Sequence, residues 1–327
     1  MTQKLTTLVW RARHSRPLRL RSFLALILFL SATTAAHAAR TCSISMTNVA
    51  FGNVDVTTGA FSDTTATLSV TCSGYGGDPP RLCISIGAGS AGDATSRQML
   101  GPGSIRYDLY KDAARTNVWG SWQTGYKSPG LQATGIDGTT NFTVYARLFG
   151  SQQTASAGSY SSTFTANPFL RYGRTADSSP CPGPLGDEQT TSTSFVATAT
   201  VVTSCHVTVT NLNFGSVGSL NSNVDGSSTV SIQCTNGAPY NLGLNAGTGA
   251  GATVTTRKMT SGGSTINYSL YTNGSRTTVW GDTVGTNTVS GTGGGSNQAL
   301  TVYGRIPTQT TPSPGAFNDT ITATVTY

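Results

Sequence analysis

The amino-acid sequence predicts an all-β protein built from two tandem Greek-key sandwiches. One order of residues occurs twice, at offsets that drift only from 163 to 158 residues, which indicates a duplicated domain rather than a short-period solenoid. Runs of β-branched and aromatic residues alternate with Thr and Ser, and clusters of Gly, Asn, Asp and Ser separate these runs, as in strands with one buried face. After residue 38, no segment carries a convincing helical period.

The repeat is clearest in residues 107–120, which return as residues 268–281 with eight of fourteen positions identical. Other positions recur in the same order: Cys42, Phe51-Gly52, Cys72, Met99 and Val144 in copy one, and Cys205, Phe214-Gly215, Cys234, Met259 and Val302 in copy two. Aromatic residues present in both copies are expected in the core, namely Trp119 with Trp280, Tyr107 with Tyr268, and Tyr110 with Tyr271. Function is expected where the two copies differ.

Residues 1–38 are predicted to be a signal peptide. Five arginines lie between Arg11 and Arg21, an apolar run follows over residues 23–30, and Ala36-His37-Ala38 is typical of a cleavage site. The apolar run is too short to span a bilayer as a stop-transfer helix. The exported part is divided into an N-terminal domain (residues 39–203) and a C-terminal domain (residues 204–327).

The basic character of the whole chain comes from the predicted signal peptide. This segment holds six of the 20 Lys and Arg residues and none of the 13 Asp and Glu residues, which leaves 14 against 13 in the exported part. A surface with nearly balanced charge does not favour a nucleic-acid partner. We therefore expect no nucleic-acid binding.

Six cysteines in an exported chain indicate three disulfides. Cys42 and Cys72 are 30 residues apart and their counterparts Cys205 and Cys234 are 29 apart, so we expect pairing within each copy, with Cys83 and Cys181 left to each other. A metal site is disfavoured because no CxxC occurs and His206 is the only histidine after residue 38. The same scarcity disfavours a Ser-His-Asp triad. No enzyme activity, metal or cofactor is expected.

The most regular predicted strand covers residues 319–327. Ile321, Ala323, Val325 and Tyr327 share one face, and threonines occupy the other. Residues 195–201 are interpreted as the counterpart of this strand in copy one. An apolar strand without a partner is either an aggregation hazard or a place that receives a strand from another chain, and the second interpretation is preferred in an exported protein.

These motifs resemble the spore coat U domain, a family that includes pilins of archaic, Csu-type chaperone–usher pili. The motifs are an early Cys followed by Phe-Gly-x-Val, a second Cys about 30 residues on, the 107–120 block with Ala-Arg-Thr and Trp-Gly, and a final Asp-Thr-x-x-x-x-Val-x-Tyr segment. The resemblance implies immunoglobulin-like pilin-type sandwiches, the C-terminal one lacking its last strand. It implies that a periplasmic chaperone, and then the next pilus subunit, adds a strand at the edge that carries Ile321, Ala323, Val325 and Tyr327. An outer-membrane usher is a further implied partner.

The expected place of the subunit is the pilus tip, at the cell surface. After cleavage at Ala38 only three residues precede Cys42, and these span about 10 Å, too little to donate a strand. We therefore expect an adhesin that attaches cells to abiotic or host surfaces and promotes biofilm formation.

Apolar residues in loops specific to copy one are the candidate adhesive residues: Met99, Leu100, Trp122, Tyr126, Leu131, Phe169, Leu170 and Tyr172. The alternative interpretation is that these side chains cover extra core of a larger domain or face the C-terminal domain. Two alternative functions also stay open, a secreted or coat structural protein with both sandwiches complete and a lectin-like tip that binds a glycan.

Overall fold

The computed structural model describes residues 39–174 and 180–327, so the predicted signal peptide lies outside the described residues. Within these ranges every regular element is a β-strand, which confirms the all-β prediction. The described part contains no helix that is long and apolar enough to cross a membrane.

Copy one forms two sheets. Its strands are β1 (Thr41–Met46), β2 (Val49–Val54), β3 (Ser62–Ser73), β4 (Pro80–Ser85), β5 (Arg97–Leu100), β6 (Ser104–Tyr110), β7 (Leu131–Thr134), β8 (Gly138–Leu148), β9 (Gly158–Phe164), β10 (Phe169–Arg174), β11 (Gly186–Ser192) and β12 (Phe195–Val201). One sheet has the order β1-β3-β8-β6-β5-β9-β12-β2 and the other β11-β10-β4-β7. Their inner faces enclose one apolar core.

Copy two repeats this plan with fewer strands. They are β13 (Cys205–Val209), β14 (Val224–Cys234), β15 (Pro239–Leu244), β16 (Arg257–Ser261), β17 (Ser264–Tyr271), β18 (Val289–Thr292), β19 (Gln298–Ile306) and β20 (Ala323–Thr326). Their orders are β13-β14-β19-β17-β16 and β18-β15-β20, and no described sheet contains strands of both copies. The proposed domain boundary at residue 204 falls between β12 and β13.

The aromatic residues shared by the copies lie mostly in the two cores. Trp119 and Trp280 are each 1% exposed, and their indole Nε1 atoms donate to the carbonyl oxygens of Ile84 and Leu242. The paired tyrosines at 107 and 268 and Tyr110 are buried, whereas Tyr271 is half-buried. The shared aromatics therefore hold each sandwich together, as the repeat predicts.

The three disulfides follow the pairing that the repeat suggests. Cys42–Cys72 joins β1 to β3, and Cys205–Cys234 joins β13 to β14, each between residues that face one another across the strand pair. Cys83–Cys181 ties β4 to the segment that precedes β11. The third bridge thus anchors a stretch of chain that copy two lacks.

A buried arginine ties the sheets together in both copies. The guanidinium of Arg97 donates to the carbonyl oxygens of Gly87, Ile86 and Trp119. Arg257 donates in the same way to the carbonyl oxygens of Asn245, Leu244 and Trp280. One rigid side chain therefore satisfies three inward-facing acceptors of irregular backbone.

Arg257→Met removes these donors, and because Arg257 also donates to the carbonyl of Val254, it leaves four carbonyl oxygens without their side-chain partner. A buried acceptor left unsatisfied costs about 1–3 kcal/mol, so we expect the free energy of unfolding of copy two to fall by at least about 3 kcal/mol in urea denaturation. Lys258→Met is the matched control, because Lys258 is the next residue on β16 and donates only to the carbonyl of Ala250 in an exposed contact. Equal stability of the two variants would contradict this role.

Candidate functional site: an open groove in copy two

The 107–120 block and its repeat build the same loop twice. Asp112 accepts hydrogen bonds from the amides of Thr116 and Asn117. Asn273 accepts from the amides of the equivalent Thr277 and Thr278. These side chains close a tight turn, which explains why a polar residue with a side-chain oxygen recurs at its start.

The arginine of each block reaches an ion pair on the neighbouring strands. Arg115 has a left-handed φ of 58° and lies 3.2 Å from Asp63, which Arg147 contacts with two bonds of 2.8 Å. The hydrogen bonds from Arg147 lower the pKa of Asp63, and Arg305 lowers the pKa of Asp225 in the same way. The repeated block is therefore scaffold, not a ligand site.

Copy one is closed by its own β12. This strand pairs antiparallel with β9 along its whole length and parallel with β2 on its other side. Its inward residues Phe195, Ala197, Ala199 and Val201 are each at most 3% exposed. The ring of Phe195 stacks on that of Phe164 with centroids 4.2 Å apart. β12 thus fills the space between β2 and β9 completely.

The path of the chain shows how copy one acquires this strand. β9 and β10 run consecutively, and after residue 174 the chain returns as β11 beside β10 and then as β12 beside β9. In copy two the described chain reaches β20 and has no returning strand. The difference between the copies is therefore one long strand pair, held in copy one by the bridge at Cys181.

The interpretation of residues 195–201 as the counterpart of the last strand is wrong. Leu170 on β10 faces Ile84, and Val325 on β20 faces Leu242. Ile84 and Leu242 are equivalent because each accepts the indole hydrogen bond of the shared tryptophan. β20 therefore corresponds to β10, and by the same register Tyr327 corresponds to Tyr172.

The last strand is also shorter than predicted and has a partner on one side. It spans Ala323–Thr326 and pairs with β15. Ile321, Ala323 and Val325 are half-buried against the core, and Tyr327 is 57% exposed. In the described chain the other edge of β20 pairs with no strand, whereas the equivalent edge of β10 in copy one pairs with β11.

The space that β12 fills in copy one is open in copy two. Residues 211–217, the counterpart of β2, form no strand, and residues 315–321 pair only at one bridge between Asn318 and Thr260. That bridge matches the one between Ser161 and Leu100 in copy one. We call the space between residues 212–217 and 315–321 the open groove.

Burial of equivalent side chains measures how open the groove is. Phe51 and Val54 are 8% and 5% exposed, whereas Phe214 is half-buried and Val217 is 41% exposed. Likewise Met99 and Ile105 are fully buried, but their counterparts Met259 and Ile266 are only half-buried. The same residue types thus lack in copy two the cover that β12 supplies in copy one.

One carboxylate is fixed in the wall of the groove. Asp319 accepts from the hydroxyl of Tyr268 at 2.8 Å and from the amide and hydroxyl of Thr248 at 2.8 and 2.9 Å. Burial, and then the hydrogen bond to Asp319, raise the pKa of Tyr268. In copy one the equivalent Ser162 lies near Tyr107, whose pKa burial raises to about 12.

The chemistry of the groove suits an extended backbone. It offers apolar side chains, unpaired backbone groups and a single carboxylate that is already hydrogen-bonded. The described residues contain no group of three or more His, Cys, Asp or Glu side chains arranged to hold a metal ion. An added strand would satisfy the backbone groups and cover the side chains at once.

The candidate adhesive residues divide by burial. Met99, Tyr126, Leu170 and Tyr172 are buried, so the expectation that they form a contact surface is corrected. Trp122, Leu131 and Phe169 are half-buried. Leu100 is 55% exposed. Tyr126 is held inside because its hydroxyl donates to Asp108, which also forms an ion pair with the buried Arg97. The sequence gives no sign of this contact, so the predicted exposure of Tyr126 is wrong.

The two ends of copy one differ in their neighbours. Gln233 of copy two donates to the carbonyl of Thr57, and Asn236 donates to the carbonyl of Thr154. Both acceptors lie in loops near the Ser62–Leu148 end of the β3–β8 pair. The opposite end of that pair, at Cys72 and Gly138, is therefore the end of copy one remote from copy two.

Sequence reasoning missed Ile136 at this remote end. Its side chain is 55% exposed and lies in the turn before β8. Leu100 is equally exposed, but it lies at the copy-two end. The turn that follows it packs on Gly158, where a Cβ atom would be 2.7 Å from Pro102, and the nearby Ser156 forms a bridge with Asn236 of copy two. The sequence does contain a signal for the exposure of Ile136, since this residue lies in a Gly-Ile-Asp-Gly turn and turns lie at the protein surface.

Comparisons with known proteins identify the family. The model of the Spore Coat Protein U domain matches residues 28–167 and 191–324. The chain belongs to the spore coat protein U domain family. Among curated proteins, Protein U of Myxococcus xanthus is similar to it, with 34% identity over 128 residues that cover 36% of this chain and 71% of that protein.

A solved structure has a fold similar to that of this chain. The spore coat U protein resembles a chain in the crystal structure of the CsuC–CsuE chaperone–tip adhesion subunit pre-assembly complex from archaic chaperone–usher Csu pili of Acinetobacter baumannii. The TM-score is 0.54 at 16% identity, over 88% of this chain and 100% of that chain. The family and the immunoglobulin-like pilin-type fold expected from the sequence are confirmed.

Because Tyr327 corresponds to Tyr172, copy one itself supplies a strand with which to close copy two. We expect that appending residues 173–201 after Tyr327, with Cys181→Ser in the appended segment, fills the open groove and raises the thermal midpoint of copy two. Burial of four apolar side chains drives the change. Calorimetry measures it.

The matched control carries Asp in place of the appended copies of Phe195, Ala197, Ala199 and Val201. It keeps the length of the extension and removes its apolar face. Equal midpoints for both extensions would contradict the assignment of the groove.

Proposed function

We propose that this protein is the tip adhesin of a chaperone–usher pilus, assembled by donor-strand complementation. The observation that carries the proposal is the contrast between the copies, since β12 closes copy one and its place in copy two is open. Copy two then receives a strand, first from a periplasmic chaperone and then from the next pilus subunit, while an outer-membrane usher exports the complex.

The energetics of the groove favour such a partner. A strand like β12 buries four apolar side chains, each worth up to about 1.5–3 kcal/mol when fully buried. Pairing along residues 315–321 adds backbone hydrogen bonds worth about 0.5–1.5 kcal/mol each. These gains offset the cost of ordering an extended segment, so strand addition is a stabilising step.

The tip position is supported by the division between the copies. Copy one needs no strand from outside, so a fibre joined through copy two leaves copy one at its free end. The pre-assembly complex whose chain shares this fold is described as containing a tip adhesion subunit. Copy one then attaches cells to abiotic or host surfaces and promotes biofilm formation, with its remote end outermost.

A glycan-binding tip is the second candidate, and one feature of copy one favours it. A cleft of about 640 Å³ lies between the loop after β4, the loop that carries Tyr126 and the end of β9. Thr124, Lys127 and Asn167 line it together with Tyr126 and Phe164, so it offers both polar groups and aromatic rings.

The dependence of copy two on an added strand tests the assembly step. We expect the exported chain to resist chymotrypsin when co-purified with its chaperone, and to be cleaved at Leu212, Phe214 or Phe317 of the open groove when freed from it, because an open edge unfolds locally. Mass spectrometry of the fragments locates the cuts. Monodisperse, protease-resistant protein obtained without any added strand would refute donor-strand assembly.

Adhesion is expected to depend on the remote end of copy one. Ile136→Asp should reduce binding of piliated cells to polystyrene several-fold, because it places a charge in an apolar contact. Leu100→Asp is the matched control, with the same exposure at the other end of the domain. Crystal-violet staining measures retention, and pilus number is counted by electron microscopy. Equal effects of both substitutions would refute the assignment, and loss only on sugar-coated surfaces would favour the lectin-like alternative.

A further inference from the structure

Copy one contains a bound example of the strand that copy two lacks. Resting on the proposed function, we infer that the open groove selects its partner by size, accepting an extended segment of another subunit with a bulky apolar residue at its first inward position and only Gly, Ala or Ser at its second. β12 has this pattern, with Phe195, Ala197 and Ala199 inward and Val201 fourth.

The register of β12 can be transferred to copy two residue by residue. In copy one Phe195 faces Phe164, Ala197 faces Ser162, and Ala199 faces Tyr160. Ser161 and Asn318 are equivalent because they form the matching bridges to Leu100 and Thr260. Ile321, Asp319 and Phe317 therefore correspond to Phe164, Ser162 and Tyr160 and form one wall of the open groove. The incoming segment therefore runs antiparallel to residues 315–321 and parallel to residues 212–217.

The first inward position has room for a large side chain. Its wall residue changes from Phe164 in copy one to the smaller Ile321 in copy two. Phe164 already leaves space for the stacked ring of Phe195. A Phe or Leu of the partner therefore fits here and covers Ile321.

The second inward position is the most restrictive. Its wall residue changes from Ser162 to the larger Asp319, and Asp319 cannot turn away without losing the hydrogen bonds from Tyr268 and Thr248. The opposite wall changes from Val49 to Leu212, which already lies against Gly304, where a Cβ atom would be 2.8 Å from Leu212 Cδ1. A large apolar residue would press on a fixed carboxylate, whereas Gly, Ala or Ser would not.

The third inward position keeps the dimensions it has in copy one. Its wall is Phe317 in place of Tyr160, and Phe214 occupies the place of Phe51 across the groove. Both pairs are aromatic and similar in size, so the residue that fits in copy one, alanine, also fits here. The groove thus distinguishes strands that share the same alternation of apolar residues.

The test uses the exported chain and peptides with the sequence of residues 194–202. Binding is measured by the change in intrinsic fluorescence and confirmed by native mass spectrometry. We expect the unaltered peptide and a Phe195→Leu peptide to bind, and an Ala197→Leu peptide to bind about tenfold more weakly or worse. In the chain variant Asp319→Ser, which restores the residue found in copy one, the Ala197→Leu peptide should recover most of this loss.

The outcomes separate the inference from the proposed function. Equal binding of the Ala197→Leu and unaltered peptides to the exported chain overturns size selection and leaves strand acceptance intact. The same conclusion follows if the ratio of the affinities of these two peptides is unchanged in the Asp319→Ser chain. Failure of the unaltered peptide where the chaperone still protects copy two overturns β12 as a guide to the partner. Failure of every strand, chaperone included, overturns the proposed function itself. If Asp319→Ser does not fold, Leu212→Val tests the opposite wall, and an unchanged peptide ratio there also counts against the inference.

Discussion

The pairing of one strand between β2 and β9 is the interaction on which the rest of the structure depends. It satisfies two rows of backbone groups and covers the apolar side chains beneath them in a single step. Where β12 makes this pairing, the equivalent core residues are fully buried. Where the pairing is missing, the same residue types are half-exposed on similar strands. One chain therefore contains a closed and an open form of the same sandwich.

The residues common to both copies make contacts within each sandwich that do not depend on this strand. Arg97 and Arg257 bind carbonyl groups of the same loops. The ion pairs of Asp63 and Asp225 join equivalent strands. Because these contacts do not involve the place of β12, the sheets of copy two can persist beside an open groove. A preformed acceptor loses less conformational entropy when the strand arrives.

Much of this architecture could be predicted from the repeat. The duplicated order of residues predicted two tandem β-sandwiches, and the shared spacing of Cys42–Cys72 and Cys205–Cys234 suggested the pairing that the structure contains. Alternation alone misled at residues 195–201, which read like the last strand because both segments alternate Ala, Thr and Val. Their places in the sheets depend on pairing between distant strands, which local periodicity does not encode.

The candidate adhesive residues failed for a related reason. Tyr126 and Tyr172 lie in copy-one segments rich in turn residues, yet a buried Asp108 and an inward-facing strand hold them inside. Exposure is a tertiary property, so Ile136 became visible only in the folded chain. What comparison between the copies did locate is the cysteine pair specific to copy one. Its member Cys181 lies in the segment between β10 and β12 that has no counterpart in the described part of copy two, and the function proposed for the protein depends on that segment.

Hydrogen exchange measured residue by residue on the exported chain tests the central claim most directly. The account predicts that amides of β2, β9 and β12 in copy one exchange slowly, as expected for buried ladders. It predicts that amides of residues 212–217 and 315–321 exchange quickly in the free chain and become protected when a strand is bound. Slow exchange of residues 212–217 and 315–321 in the free chain would show that copy two is already closed and would contradict the account.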